Sequence, residues 1–236
     1  MTRTSASSTE SRSSEARAAE TAAEINAGLQ SLAVQNTPNV RGFRRAWSRT
    51  LRPESGRFVL AVAMILRREY GHRFVPYELV ADHPDAYRRL TRTRLEALGS
   101  GLDSWHAVDG FARTLAGPAW RDGLVGDTLF TKWAESPNRW WRRAALVSTV
   151  ALNVRSQGGQ GDVRRTLQIG RLLVDDHDDM VEKALSWALR ELIVHDRRAV
   201  EAFLEANEGH LGSRVKREVR NKIKTGLKTP HPAALR

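Results

Sequence analysis

Asn138-Arg-Trp-Trp-Arg-Arg-Ala-Ala-Leu146 aligns with Asp178-Asp-Met-Val-Glu-Lys-Ala-Leu-Ser186, two helix-like segments offset by about forty residues, the period of HEAT or armadillo arrays. The second opens on a plausible N-cap, Asp178. The stretch after Arg143, Ala144 to Asn153, has no charged residue, so this helix is expected to be buried nearly all round. Helical patterns continue to either side. They are read as helices over Glu54–Tyr70, Asp85–Leu98, Asp103–Leu115, Asn138–Asn153, Asp178–Val194 and Ser213–Lys224, with Ser213 as a further N-cap, and prolines 53, 76, 84, 118 and 137 fall at intervals typical of helix starts. No alternating strand of convincing length appears. The expected fold is all-α, an α-solenoid of HEAT-like helical repeats with a concave basic groove.

Composition narrows the function classes. At 236 residues with 41% hydrophobic and 28% charged content, the chain reads as one compact domain over 18–226. Residues 1–17 are rich in Ser, Thr, Glu, Arg and Ala without apolar periodicity and read as a disordered leader; 227–236, with two prolines, reads as a flexible tail. Neither a transmembrane run nor a signal-peptide core is present, so a cytoplasmic monomer without membrane contact is expected. The absence of cysteine excludes disulfides, thiol nucleophiles and cysteine metal sites. The 7 histidines, among them His106 and His195, form no close ligand pair, so neither a metal nor another cofactor is expected. A formal net charge of +11 points to a polyanion, with nucleic acid the leading partner, although an arginine-biased composition would give the same excess.

Two tryptophans lie off the apolar stripes of their helices. In Met180–Leu192, residues Val181, Ala184, Leu185, Ala188 and Leu192 share one stripe, whereas Trp187 projects with Lys183 and Arg190. A flat ring among cations suits nucleic acid. In Ser104–Leu115 the stripe is Val108, Phe111 and Leu115, and Trp105 lies one helical turn before Asp109 to one side of it. Either tryptophan alone could equally pack between helices. Arg143, at the edge of the uncharged helix, needs a partner; Asp109 and a phosphate are both candidates.

Together, Ser104-Trp-His-Ala-Val-Asp109, Asn138–Leu146, Val181-Glu-Lys-Ala-Leu-Ser-Trp-Ala-Leu-Arg-Glu191 and Val215-Lys-Arg-Glu218 resemble the DNA alkylation repair enzymes of the AlkD type, in order and spacing, from about residue 32 to 224. The resemblance implies a HEAT-like-repeat DNA glycosylase that excises cationic N3- and N7-alkylated purines from duplex DNA without drawing the base into a deep pocket. It puts the catalytic aspartate on Asp109, the lesion-side tryptophans on Trp105 and Trp187, and the groove arginine on Arg143. It also puts phosphate contacts on Thr37 and Arg41, in Gln35-Asn-Thr-Pro-Asn-Val-Arg41, and on Arg190, with Lys183 beside them. The N-terminal groove tyrosine of the family is missing, since Glu24–Ser31 has no aromatic residue. No lysine is placed as an amine nucleophile, so release of the base without strand cleavage is expected. The alternative is a non-catalytic HEAT-like scaffold that binds nucleic acid; a protein-binding solenoid leaves the basic excess without a role. Asp109 favours the enzyme, because a pure binder gains nothing from a carboxylate near the phosphate path.

Overall fold

The computed structural model describes residues 3–230, with side chains from 13 onward, and every regular element among them is helical. The span read as one domain comprises two compact units that divide after Ser100.

The first unit contains α1 (Arg3–Gln30), α2 (Thr37–Leu51), α3 (Gly56–Arg68), α4 (Phe74–Asp82), α5 (Pro84–Arg88) and α6 (Arg92–Leu98). The helix α1 begins inside the stretch read as a leader. None of residues 13–17 is buried, and the first buried residue is Ala18. From there Ala18, Ala22, Ile25 and Leu29 follow the helical period and pack on α3, so the core starts where apolar spacing starts. The helix expected over 85–98 is broken. Thr91 adopts extended backbone and its hydroxyl accepts the Arg94 N–H, which starts α6 afresh after α5. The side chain of Arg67 closes the unit by donating to the carbonyls of Leu98 and Ser100.

The second unit contains α7 (Trp105–Phe111), a π-helical turn at Ala112–Ala116, α8 (Gly117–Arg121), α9 (Asp127–Ala134), α10 (Arg139–Asn153), α11 (Val163–Leu172), α12 (Asp179–Leu192), α13 (Arg197–Ala206) and α14 (Ser213–Thr225). It is a two-row array: α7, α10, α12 and α14 pack in succession along one row, and α9 and α11 pack side by side along the other. The helices α10 and α12 start forty residues apart, and both are capped, α12 as expected by Asp178 on the Met180 N–H and α10 by Asn138 on the Trp140 N–H. Such caps are worth roughly 1 kcal/mol each. Arg139 and Arg142 of α10 reach Asp178 and Asp176, just before α12, and hold the two starts in register. From Arg143 to Asn153 every residue of α10 is buried.

Ser213 is the first helical residue of α14 rather than its cap. The extended entry residue is Gly212, where a Cβ would lie 1.7 Å from Glu182 Oε1, so a side chain there would have to displace the Glu182 carboxylate. The π turn has a similar cause. Pro118 has no N–H to continue the α-helical ladder, and Gly117 presses against α10, where a Cβ would sit 2.6 Å from Ala151 and from the Ser148 carbonyl. The Gly117 N–H therefore bonds back to the Ala112 carbonyl, one residue further than in an α-helix. Of the expected flexible tail, 231–236 lie outside the described residues; Gly226, at φ 75°, ends α14.

Candidate active site

The site is built on α7, α10 and α12. Val108 and Phe111 anchor α7 in the core, which fixes the direction of the opposite face. On that face Trp105 stands 56% exposed, and Asp109 follows one turn later with its carboxylate 17% exposed. From α10, Arg143 meets Asp109 as a fork: Nε donates to Oδ1 and Nη2 to Oδ2, both at 2.9 Å. Its third donor, Nη1, goes to the Met180 carbonyl in the first turn of α12 at 2.6 Å. The guanidinium thus ties α10 to α7 and α12, and the side chain is only 6% exposed. Of the two candidate partners, the carboxylate has it, and the burial of Arg143 leaves it little access to a phosphate.

Burial raises the Asp109 pKa above the usual carboxylate range, against the hydrogen bonds and charge of Arg143 and the charges of Arg113 and His106. The carboxylate is therefore poorly hydrated, held in a single orientation, and keeps the second lone pair of each oxygen for a substrate or a water molecule.

Trp187, on α12, is half-buried, off the aliphatic stripe as its spacing indicated. Its indole N–H donates to Glu191, which fixes the ring, and the Arg113 guanidinium lies 5.4 Å from the ring centroid. Arg113 also sits one turn beyond Asp109 and acts on it through its charge, so it links the carboxylate to the second tryptophan. The sequence reading passed over this residue. The i, i+4 spacing of Trp105, Asp109 and Arg113 was the available signal, and in an arginine-rich chain it did not stand out.

The remaining expected contacts are dispersed. Lys183 pairs with Asp179 at 2.6 Å on the exposed side of α12. Arg190 is half-buried two turns further on, its Nε donating to the Ser186 carbonyl and hydroxyl near Glu218. Thr37 and Arg41 belong to the first unit; Thr37 opens α2 and is exposed, and Arg41 lies 5.0 Å over the Phe74 ring and 3.6 Å from Glu78. Their expected role as phosphate contacts rests on the resemblance and on their exposure. Among the described residues no group of three or more His, Cys, Asp or Glu side chains could hold a metal ion, and no helix is long and apolar enough to cross a membrane.

A buried guanidinium holding one carboxylate beside an exposed indole can stabilise positive charge on a ligand and orient a water molecule. His106, whose ring lies 5.7 Å from that of Trp105, is the neighbouring titratable group on the same helix. A family model described as DNA alkylation repair enzyme matches residues 8–223. No match was found among curated proteins or solved structures.

Proposed function

The chain belongs to the DNA alkylation repair enzyme family, and on that premise we propose that it is a DNA glycosylase that hydrolyses the N-glycosidic bond of cationic N3- and N7-alkylated purines in duplex DNA. The observation that carries this reading is the forked Asp109–Arg143 pair, one turn from the exposed ring of Trp105.

Breaking the bond sends its electron pair to the purine, which leaves neutral because alkylation had already made it cationic. No general acid is required. Positive charge grows on the deoxyribose instead, and a partly desolvated carboxylate beside it stabilises that charge more than one in water would. Water adds to C1′, and its proton passes to Asp109 or to solvent. Arg143 is a positioning residue: it keeps both carboxylate oxygens in place and favours the ionised form of Asp109 against the cost of burial. The Trp105 face adds cation–π attraction to the charged sugar or base, worth about 0.5–1 kcal/mol at an exposed site and about 2 when desolvated. Lys183, Arg190, Thr37 and Arg41 serve as backbone contacts, which position the duplex without reading its sequence. One carboxylate and no amine nucleophile make base release the end of the reaction, without strand cleavage.

The test is incubation of duplex DNA carrying N7-methylguanine with the full chain and with Asp109→Asn, measuring free base by chromatography and DNA binding by anisotropy. Release by the wild type, with Asp109→Asn binding DNA but releasing no base, is expected. Equal release by both removes the proposed mechanism; binding without release by the wild type favours a scaffold.

A further inference from the structure

Arg143 was the arginine expected to face DNA, but its side chain is buried and three of its five N–H groups go to Asp109 and Met180. The role passes to a neighbour. We infer that Arg113 is the residue that grips a backbone phosphate beside the site, an assignment that rests on DNA being the ligand.

Four observations converge on it. First, Arg113 makes no ion pair among the described residues, and its Nε is buried without a hydrogen-bond partner. Arg139, Arg142, Arg164 and Arg165, on the neighbouring helices, all hold carboxylates. A half-buried guanidinium with unmet donors is an unfinished site, because buried donors are ordinarily satisfied. Second, Asp109 attracts Arg113 by charge but accepts its hydrogen bonds from Arg143 instead. Third, the guanidinium lies over the Trp187 ring, itself fixed through Glu191. An arginine on an aromatic face is held in orientation while its in-plane donors stay available, and a planar fork of donors matches phosphate oxygens. Fourth, its mount is rigid: Arg113 belongs to the π turn that Gly117 pins to α10.

A phosphate there would put the duplex backbone within one helical turn of Asp109, which registers the sugar against the carboxylate. The surplus of positive charge on the chain favours a phosphate over a carboxylate ligand.

The experiment measures binding of an unmodified duplex by the full chain across a potassium chloride series, for the wild type, Arg113→Gln and Arg113→Lys, with thermal melts as the folding control. Loss of one phosphate contact makes the slope of log K against log salt shallower by about 0.9. Arg113→Gln is expected to show that change together with weaker binding at low salt, and Arg113→Lys to keep the wild-type slope. An unchanged slope in a folded Arg113→Gln overturns the assignment. A second measurement needs no variant: duplex DNA should protect Arg113 of the wild type from phenylglyoxal, read by peptide mass spectrometry, and undiminished labelling overturns the assignment. Both readouts are independent of base release. If the wild type releases no methylated purine yet the slope falls, the glycosylase reading fails and Arg113 keeps its role; if release occurs and the slope is unchanged, the reverse holds.

Discussion

Asp109 and Asp127 are each a carboxylate in the second unit, each near a tryptophan and gripped by arginine, and the two sites differ in what they leave open. On the second row, Asp127 accepts the buried Trp120 indole N–H at 2.8 Å and hydrogen bonds from Arg164 and Arg165 at 2.8 and 3.0 Å. Trp120 is stacked on Phe130 at 3.9 Å between centroids, so neither its ring face toward Phe130 nor its N–H is available to a ligand. On the first row, Asp109 has a single arginine, and the nearby Trp105 ring is exposed with its indole not bound to the carboxylate. Burial raises the Asp109 pKa. For Asp127 burial works the same way, but the Trp120 N–H and the two guanidinia outweigh it and hold the carboxyl below the usual range. The same three residue types make a packing knot when their hydrogen bonds close on one another, and a reactive site when one member is left facing outward.

Breaking the grip on Asp109 should have the largest effect. Arg143→Met leaves a part-buried carboxylate unpaired, and removing one partner of a fully buried pair costs about 3–5 kcal/mol, which sets the upper end here. A lower melting temperature and loss of base release are expected, and a neutral substitution would mean that Arg143 does not hold Asp109.

The counterpart on the second row should fall in the range of a lost buried hydrogen bond. Asp127→Ala strands the Trp120 N–H and is expected to cost about 1–3 kcal/mol of folding stability by urea denaturation, with base release retained below the new midpoint. A selective loss of release in Asp127→Ala would erase the distinction between the two sites.

Acid should separate the carboxylates by direction. The pKa of Asp127 is lowered in the folded state, so its stabilising contribution is present above the unfolded value and lost as pH falls through the folded one. For Asp109 the folded pKa is raised, so its stabilising contribution is present below the unfolded value and lost as pH rises through the folded one. The base-release rate, which needs ionised Asp109, should therefore fall on acidification at a pH above the ordinary carboxylate range while the fold persists. A rate that declines only with the unfolding signal would contradict this.

The smallest expected effect belongs to the exposed ring. Trp105→Ala should weaken the transition state for a cationic lesion by about 1 kcal/mol, roughly fivefold in kcat/KM, with an unchanged melting temperature. A neutral, uncharged lesion should show no such dependence on Trp105.

Much of the row that carries the site was legible in the sequence. The forty-residue offset and the cap Asp178 are local chemistry, and both appear in the starts of α10 and α12. Trp105 and Trp187 could be read off the apolar stripes because a helical period assigns faces before any packing is known. Partners were harder. Whether Arg143 meets Asp109 or a phosphate depends on two residues 34 positions apart, and no helical period spans that distance. Arg113 escaped notice because its meaning comes from an absent partner and from the ring of another helix. The break at Thr91 was hidden by good helical patterning on both sides of it, and Gly212, which stands as the entry residue in place of Ser213, lies against Glu182 from thirty residues away.

The most direct measurement sets the two carboxylates side by side. Single-turnover release of N7-methylguanine from duplex DNA is followed for the wild type, Asp109→Asn and Asp127→Asn at equal saturation of binding. Losing a preorganised electrostatic contact costs on the order of 10²–10³ in rate; a fall of that size is expected for Asp109→Asn alone, with Asp127→Asn close to the wild type. Comparable rates for all three, or an equal loss in both variants, would contradict the account.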